Sequence, residues 1–137
     1  MKSYETTRPK ILIVEDDRTS QELYKLLFEK NYDLNICDGE KGFFPFVERT
    51  KADLVLMDIS LTGEKNGLEL IRYLRNNSIE HKHTPIVCYS AHVFSQDKMN
   101  ALNAGADIFL AKPVRKEILV ETIEKALHDA ENIHERN

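Results

Sequence analysis

The chain has 137 residues, which suits one domain, and 42% of them are hydrophobic, enough for a core without disulfide or metal staples. Its net charge is −4, which excludes a general electrostatic attraction to nucleic acid or anionic lipid. No apolar run nears the roughly 20 residues that span a bilayer, and Met1 to Lys10 is polar, unlike a signal peptide, so a cytoplasmic protein without membrane insertion is expected.

Lys10 to Val14 reads as the first strand, ended by Glu15-Asp16-Asp17. A helix is expected from about Arg18 to Lys30, with Leu23, Leu26 and Leu27 as its inner stripe and Tyr24 and Phe28 beside it. Asp17 or Asp16 can cap its start. Asn31-Tyr32-Asp33 is a turn, and Leu34 to Cys37 a second strand. Gly39 to Thr50 reads as a weaker helix. Pro45 inside it predicts either a short helix starting near that residue or a kinked one.

Asp53 to Met57 is the third strand, and its continuous apolar run suits a strand buried on both faces. It delivers Asp58 to its carboxyl end. Ile59 to Asn66 is a loop, and Gly67 opens a helix with Leu68, Ile71 and Leu74 on one face. The polar connection from Asn76 to Thr84 holds His81 and His83, which read as surface residues rather than metal ligands. Pro85 to Tyr89 is the fourth strand, ending at Ser90-Ala91. A helix from about Val93 to Asn103 is stopped by Ala104-Gly105. Ile108 to Ala111 is the fifth strand, followed by Lys112-Pro113. The last helix carries Ile118, Leu119, Ile123, Ala126 and Leu127 at helical spacing and runs on towards Ile133. Cys37 and Cys88 lie in apolar strands and read as buried thiols, not as a disulfide or a metal pair.

Strands alternating with helices predict an α/β fold, a five-stranded parallel sheet with helices on both faces. Right-handed crossovers and five units favour the order 2-1-3-4-5, with its switch point between strands one and three. That order gathers Glu15, Asp16 and Asp58 at the carboxyl edge, with Ser90 and Lys112 arriving from strands four and five. Clustered carboxylates repel unless a cation joins them. Oxygen-only ligands favour Mg²⁺ (or Mn²⁺), which keeps several waters and substrate oxygens. Lys112 and the Ser90 hydroxyl complement a phosphoryl group seated on Asp58.

These residues resemble the receiver domain of two-component response regulators, of the single-domain, chemotaxis-regulator-like kind. The matching pieces are ILIVEDD at 11–17, DLVLMDISL at 53–61, NGLEL at 66–70, PIVCYSA at 85–91 and AGADIFLAKPV at 104–114. The resemblance implies a flavodoxin-like fold with residues 10–130 as the receiver domain, 1–9 as a polar tail and 131–137 as the end of the last helix or a tail. It implies that Asp58 accepts phosphate from a histidine kinase or a histidine phosphotransfer protein. Mg²⁺ would be held by Glu15, Asp16, Asp58 and the backbone carbonyl of Ser60. Lys112 and Ser90 would contact the phosphoryl group. Ser90 and Phe109 would form the switch, acting on a downstream protein through the face of helix four, strand five and helix five. A cis Lys112-Pro113 bond is also implied. The chain would catalyse only its own phosphorylation and dephosphorylation. Ser90 stands where threonine is commoner in the family, Thr62 where proline is frequent, and Glu15 where aspartate is usual; the Asp58–Gly67 loop looks one residue longer than usual.

Plainer readings exist for single residues. Asp58 could only turn its loop, Lys112 could only pair with it, and Ser90 could only cap a helix. Phe109 could be a core aromatic, and Asp17 reads as a cap rather than a ligand. Ser60 and His92 either tune water access to the phosphate or are loop residues. Among other functions, a phosphatase of the haloacid-dehalogenase type would need a second carboxylate where Ser60 stands. A flavin or nucleotide carrier would need a Gly-rich loop after strand one. A degenerate receiver would lack the acids and the lysine. A receiver cut from a larger hybrid kinase or multidomain regulator is the main alternative, although the initial Met and polar ends favour a short complete protein.

Overall fold

The computed structural model describes residues 8–60, 66–91 and 95–136. The expectations about Thr62, His92 and a helix start at Val93 lie outside them, as do residues 1–7 of the tail. The strands are β1 (Lys10–Val14), β2 (Asp33–Cys37), β3 (Leu54–Met57), β4 (Ile86–Ser90) and β5 (Ile108–Ala111). They form one parallel sheet in the order β2-β1-β3-β4-β5. The helices are α1 (Arg18–Phe28), α2 (Glu40–Arg49), α3 (Gly67–Asn77), α4 (Ser95–Ala104) and α5 (Lys116–Arg136), with a 3-10 turn at Ile79–His81.

Alternation along the strands divides the core in two. Leu12, Val14, Val55, Met57, Ile86 and Cys88 face one side, packed by Phe43 and Val47 of α2, Leu70, Ile71 and Leu74 of α3, and Ala101 and Ala104 of α4. Ile11, Ile13, Leu54, Leu56, Val87 and Tyr89 face the other, packed by Tyr24 and Phe28 of α1 and Leu119, Ile123 and Ala126 of α5. β3 and β4 are wholly buried and β1 nearly so, while the edge strands β2 and β5 are half-buried.

Four expectations need correction. The inner face of α1 is Tyr24 and Phe28, each 1% exposed; Leu27 is half-buried, while Leu23 and Leu26 stand 42% and 83% exposed. The two aromatics bury more area per residue than leucine, so their i, i+4 pair sets the rotation of the helix. The same shift in α5 leaves Ile118 exposed while Leu119 faces in.

The second correction concerns one of the two alternatives for α2: the helix starts five residues before Pro45 rather than near it, and carries the proline inside. Phe43, Phe44 and Tyr73 pack edge-on with centroids 4.9 to 6.2 Å apart, tying α2 to α3. That packing outweighs the one backbone bond the proline removes. Next, β3 holds four residues; Asp53 precedes it, its amide donating to Lys10 O at 2.8 Å and its carboxylate accepting the Lys10 amide at 2.7 Å.

The fourth correction is His81, which is fully buried rather than at the surface. Its Nε2 accepts the Ala52 amide at 3.0 Å, so the ring hydrogen lies on Nδ1, 2.8 Å from Ser78 Oγ. Beside it, Arg75 binds the amino end of the sheet together. Its guanidinium donates to the carbonyls of Gly105, His81, Lys82 and Thr84 and to the Asp107 carboxylate. Gly105 closes α4 with φ of +125°, and a Cβ there would fall 2.5 Å from Arg75 Cγ.

Gly105→Ala is therefore expected to lower unfolding free energy by about 1–3 kcal/mol in a urea titration, through strain and displacement of Arg75. Burial holds the His81 imidazole below its ordinary value of 6.5. On acidification the unfolded chain takes up this proton first, so the stability is present above about pH 6.5 and is lost as pH falls below it. The urea midpoint of the wild type should drop more between about pH 7.5 and about pH 5.5 than that of His81→Gln. Equal drops would assign the acid sensitivity elsewhere.

Candidate functional site

The register of the central strands assembles a polar site at the carboxyl edge of the sheet. Val14 pairs with Met57, so the next residues, Glu15 and Asp58, lie side by side. The Asp58 amide donates to Val14 O at 3.0 Å, and the Glu15 amide to Cys37 O at 2.9 Å. On the other side Ser90 pairs with Ala111, and the Lys112 amide donates to Ser90 O at 2.8 Å. The Lys112-Pro113 peptide is cis. Below the site, Gly67 opens α3 against the Asp58 backbone. A Cβ there would collide with Asp58 O and lie 2.6 Å from Ile59 Cα. Asn66 and Glu69 cap this helix reciprocally, which fixes where the chain returns.

Glu15 and Asp58 are 1% and 6% exposed, and Ser90 is fully buried. Lys112 Nζ lies 2.7 Å from Glu15 Oε1 and 3.8 Å from Asp58 Oδ2, making it a shared counterion nearer the glutamate. It also sits 5.4 Å from the centroid of the Tyr89 ring. Asp58 Oδ1 accepts the Ser60 amide at 2.9 Å and the Ser60 hydroxyl at 2.7 Å. Burial tends to raise the Asp58 carboxyl, but Ser60, Glu15 and Lys112 together hold it below the usual value. Glu15 moves the other way. Burial raises it, Lys112 opposes the rise, and the Asp58 charge adds to it. Their surroundings thus push the two carboxyls in opposite directions.

The structure gathers Glu15, Asp16, Asp58 and Lys112 and sets Ser60 against Asp58. Carboxylate oxygens of Glu15, Asp16 and Asp58 all lie within 4.8 Å of one another. The donors are hard oxygens with no imidazole or thiolate among them, and one ammonium does not balance three carboxylates. A divalent ion of the Mg²⁺ type fits that donor set and its charge. Ser90 stands at the end of β4 beside this group. Phe109 lies half-buried in the cluster on the α3 and α4 side. Asp17 caps α1, its Oδ2 taking the Ser20 amide at 2.9 Å and the Ser20 hydroxyl at 2.8 Å. Burial pushes the Cys37 and Cys88 thiols up to about 12, which keeps both protonated and outside this chemistry.

Three residues that sequence reasoning passed over support the site. Tyr24 donates its hydroxyl to Glu15 Oε1 at 3.2 Å. Tyr89 underlies Lys112, and its hydroxyl oxygen accepts the Val114 amide at 3.3 Å. Gln21 Nε2 donates to Glu15 O at 2.6 Å and to Asp38 Oδ1 at 2.7 Å. The available signal was a tyrosine within a buried stripe, since a buried phenol requires a partner.

The chain matches the family model described as "Response regulator receiver domain" over residues 11–124. It is 38% identical over 120 residues to "Response regulator ArlR" of Staphylococcus saprophyticus, covering 86% of this chain and 52% of that protein. It is 28% identical over 121 residues to "Polar-differentiation response regulator DivK" of Brucella anthropi, covering 88% and 97%. Among solved structures, it resembles the receiver domain of sensor histidine kinase PA1611 from Pseudomonas aeruginosa, which has a magnesium ion in its active-site cleft. That match has a TM-score of 0.79 at 25% identity and covers 88% of this chain and 98% of that one. The chain spans about half the length of the first curated relatives it matches. Among the described residues no helix is long and apolar enough to cross a membrane. With the parallel order β2-β1-β3-β4-β5 and the acids and lysine at its carboxyl edge, this chain belongs to the receiver-domain family of two-component signalling.

Proposed function

We propose that Asp58 is the phosphoacceptor, that a histidine kinase or histidine phosphotransfer protein is its donor, and that the reaction depends on Mg²⁺ or Mn²⁺. The observation that carries this reading is the divided environment of the Asp58 carboxylate. Oδ1 is engaged by Ser60, while Oδ2 faces the Lys112 ammonium 3.8 Å away. Oδ2 is then the attacking atom. Its electron pair forms the new P–O bond, the P–N bond to the donor imidazole breaks, and that pair returns to the ring nitrogen. Lys112 offers a positive charge to an equatorial phosphoryl oxygen, and the Ser90 hydroxyl offers a donor to another. Glu15, Asp16, Asp58 and the Ser60 carbonyl would hold the ion, which supplies positive charge to the transferring oxygens. Hydrolysis of the aspartyl phosphate returns the chain to its starting state.

Residues 10–130 act as the receiver in this reading, in the cytoplasm. Ser90 and Phe109 relay the charge on Asp58 to the surface of α4, β5 and α5, where a downstream protein docks. DivK, matched over nearly its whole length, supports a stand-alone regulator. ArlR, matched over half of its length, and the kinase-borne receiver support the second reading, a module of a larger regulator or hybrid kinase. The chemistry at Asp58 is the same in both.

Incubation with acetyl phosphate and Mg²⁺ should add the mass of one phosphoryl group to the intact protein, and none to Asp58→Ala. Equal labelling of the two proteins would reject Asp58 as the acceptor. Lys112→Ala should slow the labelling by about 10²–10³-fold, the usual effect of losing one fixed charge partner at a transferring group. Chelation with EDTA should stop labelling, and Mg²⁺ or Mn²⁺ should restore it.

A further inference from the structure

We propose that Tyr24 is a positioning residue for the divalent cation, its hydroxyl holding the Glu15 carboxylate in the orientation that a bound ion needs. The inference rests on reading Glu15, Asp16 and Asp58 as the cation site.

Glu15 reaches the site on a side chain one methylene longer than aspartate, with one more torsion to fix. Its carboxylate is fixed from three directions. Lys112 Nζ and the Tyr24 hydroxyl both donate to Oε1, at 2.7 and 3.2 Å, and the Asp17 amide donates to Oε2 at 3.1 Å. Only one of these donors is both rigid and remote from the chemistry. Lys112 is a flexible ammonium that the phosphoryl group would recruit, and its attraction is divided with Asp58. Asp17 is exposed and only two residues along the chain from Glu15, so its amide is a local contact rather than one from a separate element.

Tyr24 comes from the inner face of α1 and is 1% exposed. Its ring packs against that of Tyr89, with centroids 6.4 Å apart. Gln21, one turn earlier on the helix, holds the Glu15 carbonyl at 2.6 Å. One helix thus fixes the backbone and the side chain of the same acid. As Lys112 turns towards a phosphoryl group, the Tyr24 bond is the fixed contact that Oε1 retains. Outer partners of metal-ligating carboxylates set ligand orientation, and their removal costs about 10–100-fold in metal affinity.

The test is calorimetric titration of Mg²⁺ into the unphosphorylated full chain. Tyr24→Phe keeps the ring and removes only the hydroxyl. It should weaken Mg²⁺ binding about 10-fold, the lower end of the range for an outer partner. In a Glu15→Asp background, whose shorter side chain falls short of the hydroxyl, the same substitution should change affinity by about 2-fold or less, since adjacent groups couple. Thermal melting in EDTA separates a packing effect from a metal effect. Unchanged Mg²⁺ affinity in Tyr24→Phe, or equal losses in both backgrounds, would overturn the role of Tyr24 while leaving the cation site in place. Absence of Mg²⁺ binding by the wild type would instead overturn the cation site, and this inference with it.

Discussion

Two carboxylates held against each other at the end of neighbouring parallel strands are the constraint on which the rest depends. Glu15 and Asp58 are both nearly buried, and both turn towards one ammonium. Strand register brings them together, and nothing in their own chemistry favours it. Sheet hydrogen bonds, the hydrophobic strands and the helices on either face supply the stability that offsets this repulsion. The surrounding donors keep the two acids unequal. Ser60 stabilises the charge on Asp58, while burial and the Asp58 charge raise Glu15. A site that is locally unfavourable and globally supported is where chemistry is expected in a fold.

The supporting frame explains why the site is precise. Each of its members leaves a strand end or a helix end that the core already fixes. Asp58 follows the fully buried β3, and the Lys112 amide is pinned to β4 through Ser90 O. Gly67 lets α3 approach the Asp58 backbone more closely than any side chain would permit. α1 contributes Tyr24 and Gln21 from a helix whose start is itself fixed by the Asp17 cap.

The elements and the strand-end positions of Asp58, Lys112 and the acidic pair could be read from the sequence because they depend on periodicity, whereas the strand order followed from right-handed crossovers and the commonest arrangement of five such units. Apolar runs of four or five residues bounded by turn signals are unambiguous when they alternate with helical stripes. The sequence alone points to the wrong face of α1 because leucine counts as apolar wherever it stands. Only the competing bulk of Tyr24 and Phe28, seen against β1 and α5, decides which side faces in. His81 reads as a surface residue in the sequence because its partners, Ala52 and Ser78, include one that is 29 residues away. Pro45 suggested a later start for α2, because the aromatic contacts that stabilise the helix involve Tyr73, which lies on another element. The contacts of Tyr24 and Tyr89 were hidden for the same reason. A hydroxyl at the tip of a core ring declares itself only through its acceptor.

The Arg75 guanidinium, at the opposite end of the sheet from Asp58, has a mechanical consequence. It ties the carbonyl of Gly105 to α3 and, through Asp107, to the first amide of β4. A helix riveted at its final turn can tilt but cannot slide. The Gly105 end of α4 is thus the pivot of that helix, and one arginine holds it.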